Sequence, residues 1–215
     1  MESTASTIQI HVSGRPFTRD CRPRWLLEEL GVAYTPVPVG IFSGDARKPA
    51  YLATNPTGKV PFLVDGEVAI FESGAILIYL ADKYGAGEVA PAQDDPARGE
   101  YLQWLFFAQT TIEGPATRLF ANRTFLRERP SAGERAAEAE AELIAKAPIV
   151  APVLESRTYL LGDRFTAADV MLGSALYWVA GGGALDKLPT LAAYYGRLAA
   201  RPAFQRIFGE PPSPA

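Results

Sequence analysis

The chain has 215 residues, of which 48% are hydrophobic and 21% charged, which is typical of an ordinary soluble globular protein. Its formal net charge of −3 argues against a nucleic-acid-binding protein, since such proteins usually carry a strong basic excess. No apolar run reaches the roughly 18 residues of a membrane span, and the N-terminal residues lack a secretory signal pattern. We therefore expect no nucleic-acid or membrane partner and a cytoplasmic location.

Cysteine and histidine each occur once, as Cys21 and His11. A single cysteine excludes an intrachain disulfide, and the two residues are too few for a structural zinc site. We expect no metal and a reducing compartment. His11 lies within a strand pattern, which is more typical of a packed or exposed side chain than of a general base.

The first part of the chain alternates strand and helix patterns. Ile8, Ile10 and Val12 alternate with polar residues and predict a strand, and the apolar helix after it is expected to end at Gly31. The remaining elements are predicted at residues 34–39, 46–53, 60–64, 68–71 and 73–84. The order β-α-β-α-β-β-α indicates a small mixed sheet with helices on both faces.

The second part of the chain has only helical periodicity. We predict a long helix from Gly99 to about Glu128 and a charged helix from Ser131 to Ser156, whose end Pro148 and Pro152 should kink or break. Three further helices are predicted, one opened by a Thr166–Asp169 capping box and two over residues 190–200 and 202–208. The predicted domains are an α/β domain at 1–84, a linker at 85–97 and an all-α domain at 98–215.

Two short motifs predict a ligand-binding cleft. In the run from Asn55 to Pro61, a cis Val60-Pro61 bond is expected to turn the Val60 backbone outward, where it pairs with an extended ligand. Glu72-Ser73 then opens an apolar helix, where a hydroxyl and free N–H groups receive a carboxylate. Each motif alone is also typical of a simple turn or helix cap. Together they suggest a small acidic peptide as ligand, and glutathione fits that description.

Four segments in this order and spacing resemble the cytosolic glutathione S-transferase family, in particular its serine- or threonine-type, bacterial-like members. They are residues 24–31, 55–61, 71–73 and 161–169. The resemblance covers essentially the whole chain and implies a thioredoxin-like α/β domain followed by an all-helical domain. It also implies glutathione as cosubstrate with no permanently bound cofactor, a small apolar electrophile as second substrate, and a homodimer. The implied reaction is conjugation, or reduction of a peroxide or disulfide.

The resemblance assigns roles to single residues. Val60, beside cis-Pro61, would pair with the cysteinyl backbone of glutathione. Glu72 and Ser73 would hold its γ-glutamyl ammonium and carboxylate, and Lys59 would meet its glycyl carboxylate. Further candidates around the ligand and the electrophile are Phe17, Arg19, Arg47, Phe107, Thr111, Glu113 and Arg118. Gly74 departs from the larger residue of many relatives, which indicates close packing there.

The thiolate-forming residue is expected in the loop after the first strand. Setting Cys21-Arg22 against the Cys-Arg of serine-type members puts Thr18 at the catalytic serine position, where its hydroxyl would donate to the sulfur. Cys21 is the alternative, because a helix N-terminus and nearby arginines depress the pKa of a thiol. A two-cysteine redox cycle is unavailable, since Thr18 stands where the first cysteine of a thioredoxin-type pair would be.

Two rival functions stay open at this point. One is a binding or regulatory protein that kept the fold and lost the chemistry, against which the intact Val60-Pro61 and Glu72-Ser73 motifs argue. The other is isomerisation of a maleyl-type substrate, which the absence of a Ser-Ser-Cys-like motif disfavours. The sequence does not identify the electrophile, because apolar pocket walls carry only loose shape information.

Overall fold

The computed structural model describes residues 8–85 and 87–211. Residues 1–7, in which no secretory signal is expected, and residues 212–215, the end of the predicted all-α domain, lie outside these ranges. The elements of the first part are β1 (Ile8–Val12), α1 (Cys21–Leu30), β2 (Thr35–Pro38), α2 (Pro49–Thr54), β3 (Phe62–Asp65), β4 (Val68–Phe71) and α3 (Ser73–Tyr84). The predicted β-α-β-α-β-β-α order is confirmed.

The four strands form one mixed sheet in the order β2-β1-β3-β4. Strand β1 runs parallel to β2 and antiparallel to β3, and β3 and β4 form the predicted hairpin. Ile8, Ile10 and Val12 are buried, as the alternating pattern predicts. β2 lies at the edge, where the missing N–H groups of its two prolines are tolerated. Gly31 ends α1 in the left-handed conformation at φ 63°.

The second part is helical. Its elements are α4 (Arg98–Phe107), α5 (Glu113–Arg123), α6 (Ala132–Ser156), α7 (Ala167–Gly181), α8 (Pro189–Ala199) and α9 (Pro202–Phe208). None of the helices in the described ranges is both long and apolar enough to cross a membrane.

One helix prediction in the second part was wrong in detail. The predicted helix from Gly99 to about Glu128 ends at Arg123, and its middle, residues 108–112, is a π-helical segment between α4 and α5. Such segments insert one extra residue per turn and often occur at functional sites. The predicted end of the charged helix at Ser156 is confirmed, and α6 continues through Pro148 and Pro152 without a break.

The two parts share one hydrophobic core. Trp25 of α1 is fully buried, with its ring 5.0 Å from that of Phe204 and 5.7 Å from that of Phe208, centroid to centroid. At the start of α7, the predicted capping box is confirmed: the Asp169 carboxylate accepts the Thr166 N–H at 2.8 Å and the buried Tyr194 hydroxyl at 2.6 Å. This packing fixes α1 against the helical part, and the N-terminal ends of α1 and α3 meet beside the π-helical segment.

Candidate functional site

A cavity of about 420 Å³ opens between the loops at one end of the sheet and the π-helical segment. The residues predicted from the two motifs and the β1–α1 loop line it together: Thr18, Lys59, Val60, Pro61, Glu72 and Ser73. Phe17 and Arg19 from the list of further candidates lie there as well. The structure therefore brings segments far apart in sequence to one concave surface.

The loop before β3 is built by Asn55, Gly58 and a cis bond between Val60 and Pro61. The buried Asn55 side chain accepts the Thr57 N–H at 3.1 Å and donates to the Lys59 carbonyl at 2.8 Å, which closes the turn. Gly58 has φ 60°, and a Cβ there would lie 2.9 Å from the Ala46 carbonyl oxygen. Within the described residues the Val60 backbone makes no hydrogen bond, so its N–H and C=O are available to an extended ligand.

The start of α3 presents polar groups to the cavity. Glu72, the residue before the helix, is exposed and has φ 73°, an uncommon conformation for a residue other than glycine. The buried Ser73 hydroxyl accepts a hydrogen bond from Arg22 Nη1 at 2.9 Å, which leaves its own proton free to donate. The first N–H groups of a helix lack intrahelical partners and favour an anion. A Cβ at Gly74 would lie 2.3 Å from Gln109 Oε1, so the expected close packing is present.

Thr18 is already engaged within the β1–α1 loop. Its hydroxyl oxygen lies 2.5 Å from Asp20 Oδ1, 2.5 Å from Ser13 Oγ and 2.9 Å from the Arg15 carbonyl oxygen. Asp20 is fully buried, and burial raises the pKa of its carboxyl, against the lowering effects of Thr18, Ser13 and Arg24. The sequence reasoning identified Thr18 but missed both of these side-chain partners.

Cys21 is fully buried at the start of α1. Burial, with a further contribution from Asp20, raises the pKa of its thiol well above the ordinary range and outweighs the lowering effects of Arg24 and Arg22. The alternative in which the arginines make Cys21 a reactive thiolate is therefore disfavoured, because desolvation of the charged form is the larger effect.

An ion cluster of Arg22, Glu113 and Arg19 lies at the wall of the cavity beside Ser73, with Arg22 and Glu113 buried and Arg19 exposed. Arg22 is 1% exposed, and its Nη2 lies 2.8 Å from Glu113 Oε2, while Arg19 Nε lies 2.5 Å from Glu113 Oε1. Although burial alone would raise the pKa of the Glu113 carboxyl, the two guanidiniums hold it below its ordinary value. Both guanidiniums also lie over the Trp178 ring, at 5.4 and 5.3 Å from its centroid.

Four of the further candidates do not line the cavity. Arg118 is exposed and paired with Glu142, and Thr111 is half-buried within the π-helical segment. Phe107 packs against Trp104 with ring centroids 5.5 Å apart. Arg47 is exposed with its guanidinium beside Gly58. The π-helical segment changes which helix face meets the cleft, so that Gln109 and Glu113 line it in place of Phe107 and Thr111.

Asp20, Ser13 and Gln109 are cleft or loop residues that the sequence reasoning missed. Asp20 follows Thr18 by two positions, and an Asp just before a helix is a common local cap, so its position alone gave no functional signal.

His11 is half-buried against Tyr51 and Phe62, as expected of a packed side chain. In the described ranges, no three acidic, histidine or cysteine residues form a group that could hold a metal ion.

Comparisons with known proteins agree with this architecture. Residues 10–82 match the family model "Glutathione S-transferase, N-terminal domain", and residues 115–202 match "Glutathione S-transferase, C-terminal domain". Glutathione S-transferase 3 of Zea mays is 34% identical over 199 residues, which cover 88% of each chain.

Two solved structures are similar along almost the whole length. A theta class glutathione S-transferase from Xanthomonas axonopodis pv. citri, with glutathione bound, is 33% identical, has a TM-score of 0.78 and covers 94% of this chain and 97% of its own. A glutathione transferase family member from Pseudomonas fluorescens Pf-5, with two glutathione bound, is 27% identical and has a TM-score of 0.83. The match covers 97% of this chain and 95% of the other. The chain belongs to the glutathione S-transferase family.

Proposed function

We propose that the chain is a glutathione transferase that binds glutathione in the cavity, stabilises its thiolate and transfers it to, or uses it to reduce, a small apolar electrophile. One observation carries this proposal: the Thr18 hydroxyl, the unpaired Val60 backbone and the N-terminus of α3 converge on a single cavity. The bound glutathione of the two solved relatives supports the same ligand here.

Recognition of glutathione follows from the polar groups of the cavity wall. The Val60 backbone, which makes no hydrogen bond within the described residues, would pair with the cysteinyl residue. Ser73 and the free N–H groups of α3 would hold the γ-glutamyl carboxylate, and the exposed Glu72 carboxylate would hold its ammonium. Lys59, exposed at the rim, would meet the glycyl carboxylate. Arg47, outside the lining, is assigned only a long-range attraction to that carboxylate.

Thr18 is the proposed donor to the glutathione sulfur. A free thiol has a pKa of about 8.5, so little thiolate exists at neutral pH. Lowering this pKa by two units needs about 2.7 kcal/mol of preferential stabilisation of the thiolate. A hydroxyl donor and the N-terminal end of α1 supply favourable electrostatics together. Arg19 contributes less than an isolated cation, because Glu113 neutralises it at 2.5 Å.

The electrophile is proposed to bind against an aromatic wall beside Thr18. The rings of Phe42 and Phe125 lie 6.1 and 4.9 Å from that of Phe17, centroid to centroid, and Phe120 packs behind Phe125 at 5.4 Å. Phe42 and Phe125 are 67% and 60% exposed, which is unusual for large apolar side chains and provides a surface for an apolar molecule.

The remaining expectations stay proposals. We propose an α/β domain at 1–84, a linker at 85–97, a helical domain at 98–215, a cytoplasmic location and no resident cofactor. A homodimer is supported by the family and by the exposed Phe71 in β4 and Phe106 in α4, one large apolar side chain from each domain. Light scattering at low protein concentration tests the homodimer.

A titration with glutathione at neutral pH, recording the ultraviolet band of the thiolate, tests the function. Saturable growth of that band is the expected result, followed by loss of the band when an electrophile such as a chlorodinitrobenzene is added. Saturable binding without the band would contradict thiolate stabilisation. Absence of binding would contradict the proposed function and favour the non-catalytic alternative.

A further inference from the structure

The hydroxyl of Thr18 has one proton, for which Asp20 Oδ1, the Arg15 carbonyl oxygen at 2.9 Å and a bound glutathione sulfur would compete. In the structure it lies 2.5 Å from Asp20 Oδ1, the distance of a strong charge-assisted hydrogen bond. While Asp20 is ionised, the Thr18 proton therefore points at Asp20. The same proton cannot be donated to the sulfur of glutathione at the same time. Thr18 can stabilise a thiolate only after Asp20 has acquired a proton or lost this contact.

Asp20 is placed to acquire that proton. Its side chain is fully buried, and Oδ2 accepts no hydrogen bond from any residue in the described ranges. The ionisable groups that face it are Arg24, whose Nη1 is 3.6 Å from Oδ2, the buried Cys21 thiol and Tyr51 of α2. Only Arg24 is a cation, and it lies beyond hydrogen-bond distance. A buried carboxylate whose second oxygen has only this distant cation binds a proton more tightly than an exposed one, in agreement with the raised pKa of Asp20.

We propose that Asp20 takes up the thiol proton of glutathione through the hydroxyl of Thr18. The S–H bond breaks as an O–H bond forms at Thr18 Oγ1, and the original Thr18 proton passes to Asp20 Oδ1. The products are a thiolate that accepts a hydrogen bond from Thr18 and a neutral Asp20 that donates one to Thr18. This inference rests on the proposed function and adds to it the destination of the proton.

The transfer leaves the net charge of the site unchanged and moves the negative charge to a position where it is better stabilised. A negative charge leaves a fully buried carboxyl and appears on the sulfur in the open cavity, near the N-terminal end of α1. Ser13 supports both states, because its hydroxyl lies 2.5 Å from Thr18 Oγ1 and 3.2 Å from Asp20 Oδ1. Its own oxygen is fixed by the Arg15 N–H at 3.0 Å. Asp20 is in this sense a positioning residue that acts through Thr18.

The unmodified protein provides the decisive test, a count of the protons released when glutathione binds at neutral pH. Calorimetry in two buffers of different ionisation enthalpy gives the count, and S-methylglutathione corrects for every group except the thiol. If Asp20 keeps the proton, the thiolate band appears and the corrected release is near zero. Release of one proton per thiolate formed would overturn the proposal while leaving the proposed function intact. A missing thiolate band would overturn both.

Substitutions give an independent readout. In Asp20→Asn the pKa of the bound thiol is expected to rise by about one unit, which lowers the thiolate fraction about tenfold at pH values well below that pKa. Thiolate formed at higher pH should then release its proton to the buffer, and binding of S-methylglutathione should stay within about twofold. An unchanged pKa in Asp20→Asn, together with a raised pKa in Thr18→Ala, would show that Thr18 acts without Asp20. Asp94→Asn is the matched control, because it makes the same change at an exposed position outside the site and should leave the pKa of the bound thiol unchanged.

Discussion

Arg22 Nη1 donates a hydrogen bond to Ser73 Oγ across 2.9 Å, and this contact ties the first turn of α1 to the first turn of α3. The same guanidinium donates from Nε to Ser174 of α7 at 2.7 Å. Because Arg22 is buried against Glu113 as well, the two halves of the cavity wall are held by one side chain. The position of the Ser73 hydroxyl is therefore set by residues of both domains.

Replacing Ser73 by Ala should weaken glutathione binding by about tenfold. The change removes the donor proposed for the γ-glutamyl carboxylate and the acceptor for Arg22, and a hydrogen bond to a charged group contributes about 1.5–3 kcal/mol. The dissociation constant, measured by calorimetry, should rise while kcat at saturating glutathione stays within about threefold. Ser156→Ala, on the exposed end of α6, is the control. Equal affinity in Ser73→Ala and the wild type would refute the role of Ser73.

Glu113→Gln should destabilise the fold far more than Glu142→Gln. Glu113 neutralises the fully buried Arg22, and removing one partner of a buried ion pair costs about 3–5 kcal/mol, or roughly 6–20 °C in melting temperature for a chain of this size. Glu142 pairs with Arg118, and both side chains are about half exposed, so its loss should change little. Calorimetric scans of the two variants make the comparison, and equal melting temperatures would contradict it.

Thr18→Ala should raise the pKa of the bound glutathione thiol and lower turnover by about tenfold to a hundredfold, with little loss of glutathione affinity. Thr18 is proposed to donate to the sulfur and to no other atom of the ligand. The pH profile of kcat/KM gives the pKa, and Thr18→Ser should restore the wild-type profile because it keeps the hydroxyl. Unchanged kinetics in Thr18→Ala would contradict the assignment of Thr18 as the donor to the glutathione sulfur.

Phe125→Ala should raise the KM for an apolar electrophile severalfold and leave the dissociation constant of glutathione unchanged. Its ring lies 4.9 Å from that of Phe17 beside the proposed sulfur position, and it is 60% exposed. Ile149→Ala removes a comparably exposed apolar side chain of α6, outside the cavity lining, and serves as the control. If both variants keep the wild-type KM, the electrophile binds elsewhere.

Acid should destabilise the protein through Asp65. Burial opposes ionisation of Asp65, but hydrogen bonds from Lys83, Tyr84 and Tyr79 outweigh it and lower its pKa to about 2. Since the folded-state pKa lies below the unfolded value of about 3.9, the stabilisation is complete above pH 4 and is lost as the pH falls towards 2.

Urea unfolding between pH 2 and 6 measures this effect. Asp65→Asn should lose about 2 kcal/mol at neutral pH and flatten the profile between pH 4 and 2. Asp94→Asn, an exposed change in the linker, should keep the wild-type profile. Parallel profiles for the wild type and Asp65→Asn would contradict the assignment to Asp65.

The sequence by itself determined the features that depend on a few adjacent residues. Turn chemistry and hydrophobic periodicity act over short distances in the sequence. They were therefore sufficient to predict the order of the strands and helices, the cis bond before Pro61, the left-handed Gly31 and the Thr166–Asp169 capping box. The motifs at 55–61 and 72–73 were sufficient to indicate a peptide-binding cleft. The length of α5 and the π-helical segment were not predictable, because interhelical packing overrides local propensity there.

Only the tertiary structure decided which groups meet and how deeply each is buried. Arg19 and Glu113 are 94 positions apart, and Arg22 and Ser174 are 152 apart, so no local pattern could pair them. Burial decided that Cys21 stays a thiol although arginines surround it in sequence, because desolvation of a charge outweighs attraction at that depth. The same burial, combined with the 2.5 Å contact to Thr18, made Asp20 a proton acceptor candidate that the sequence alone left unnoticed.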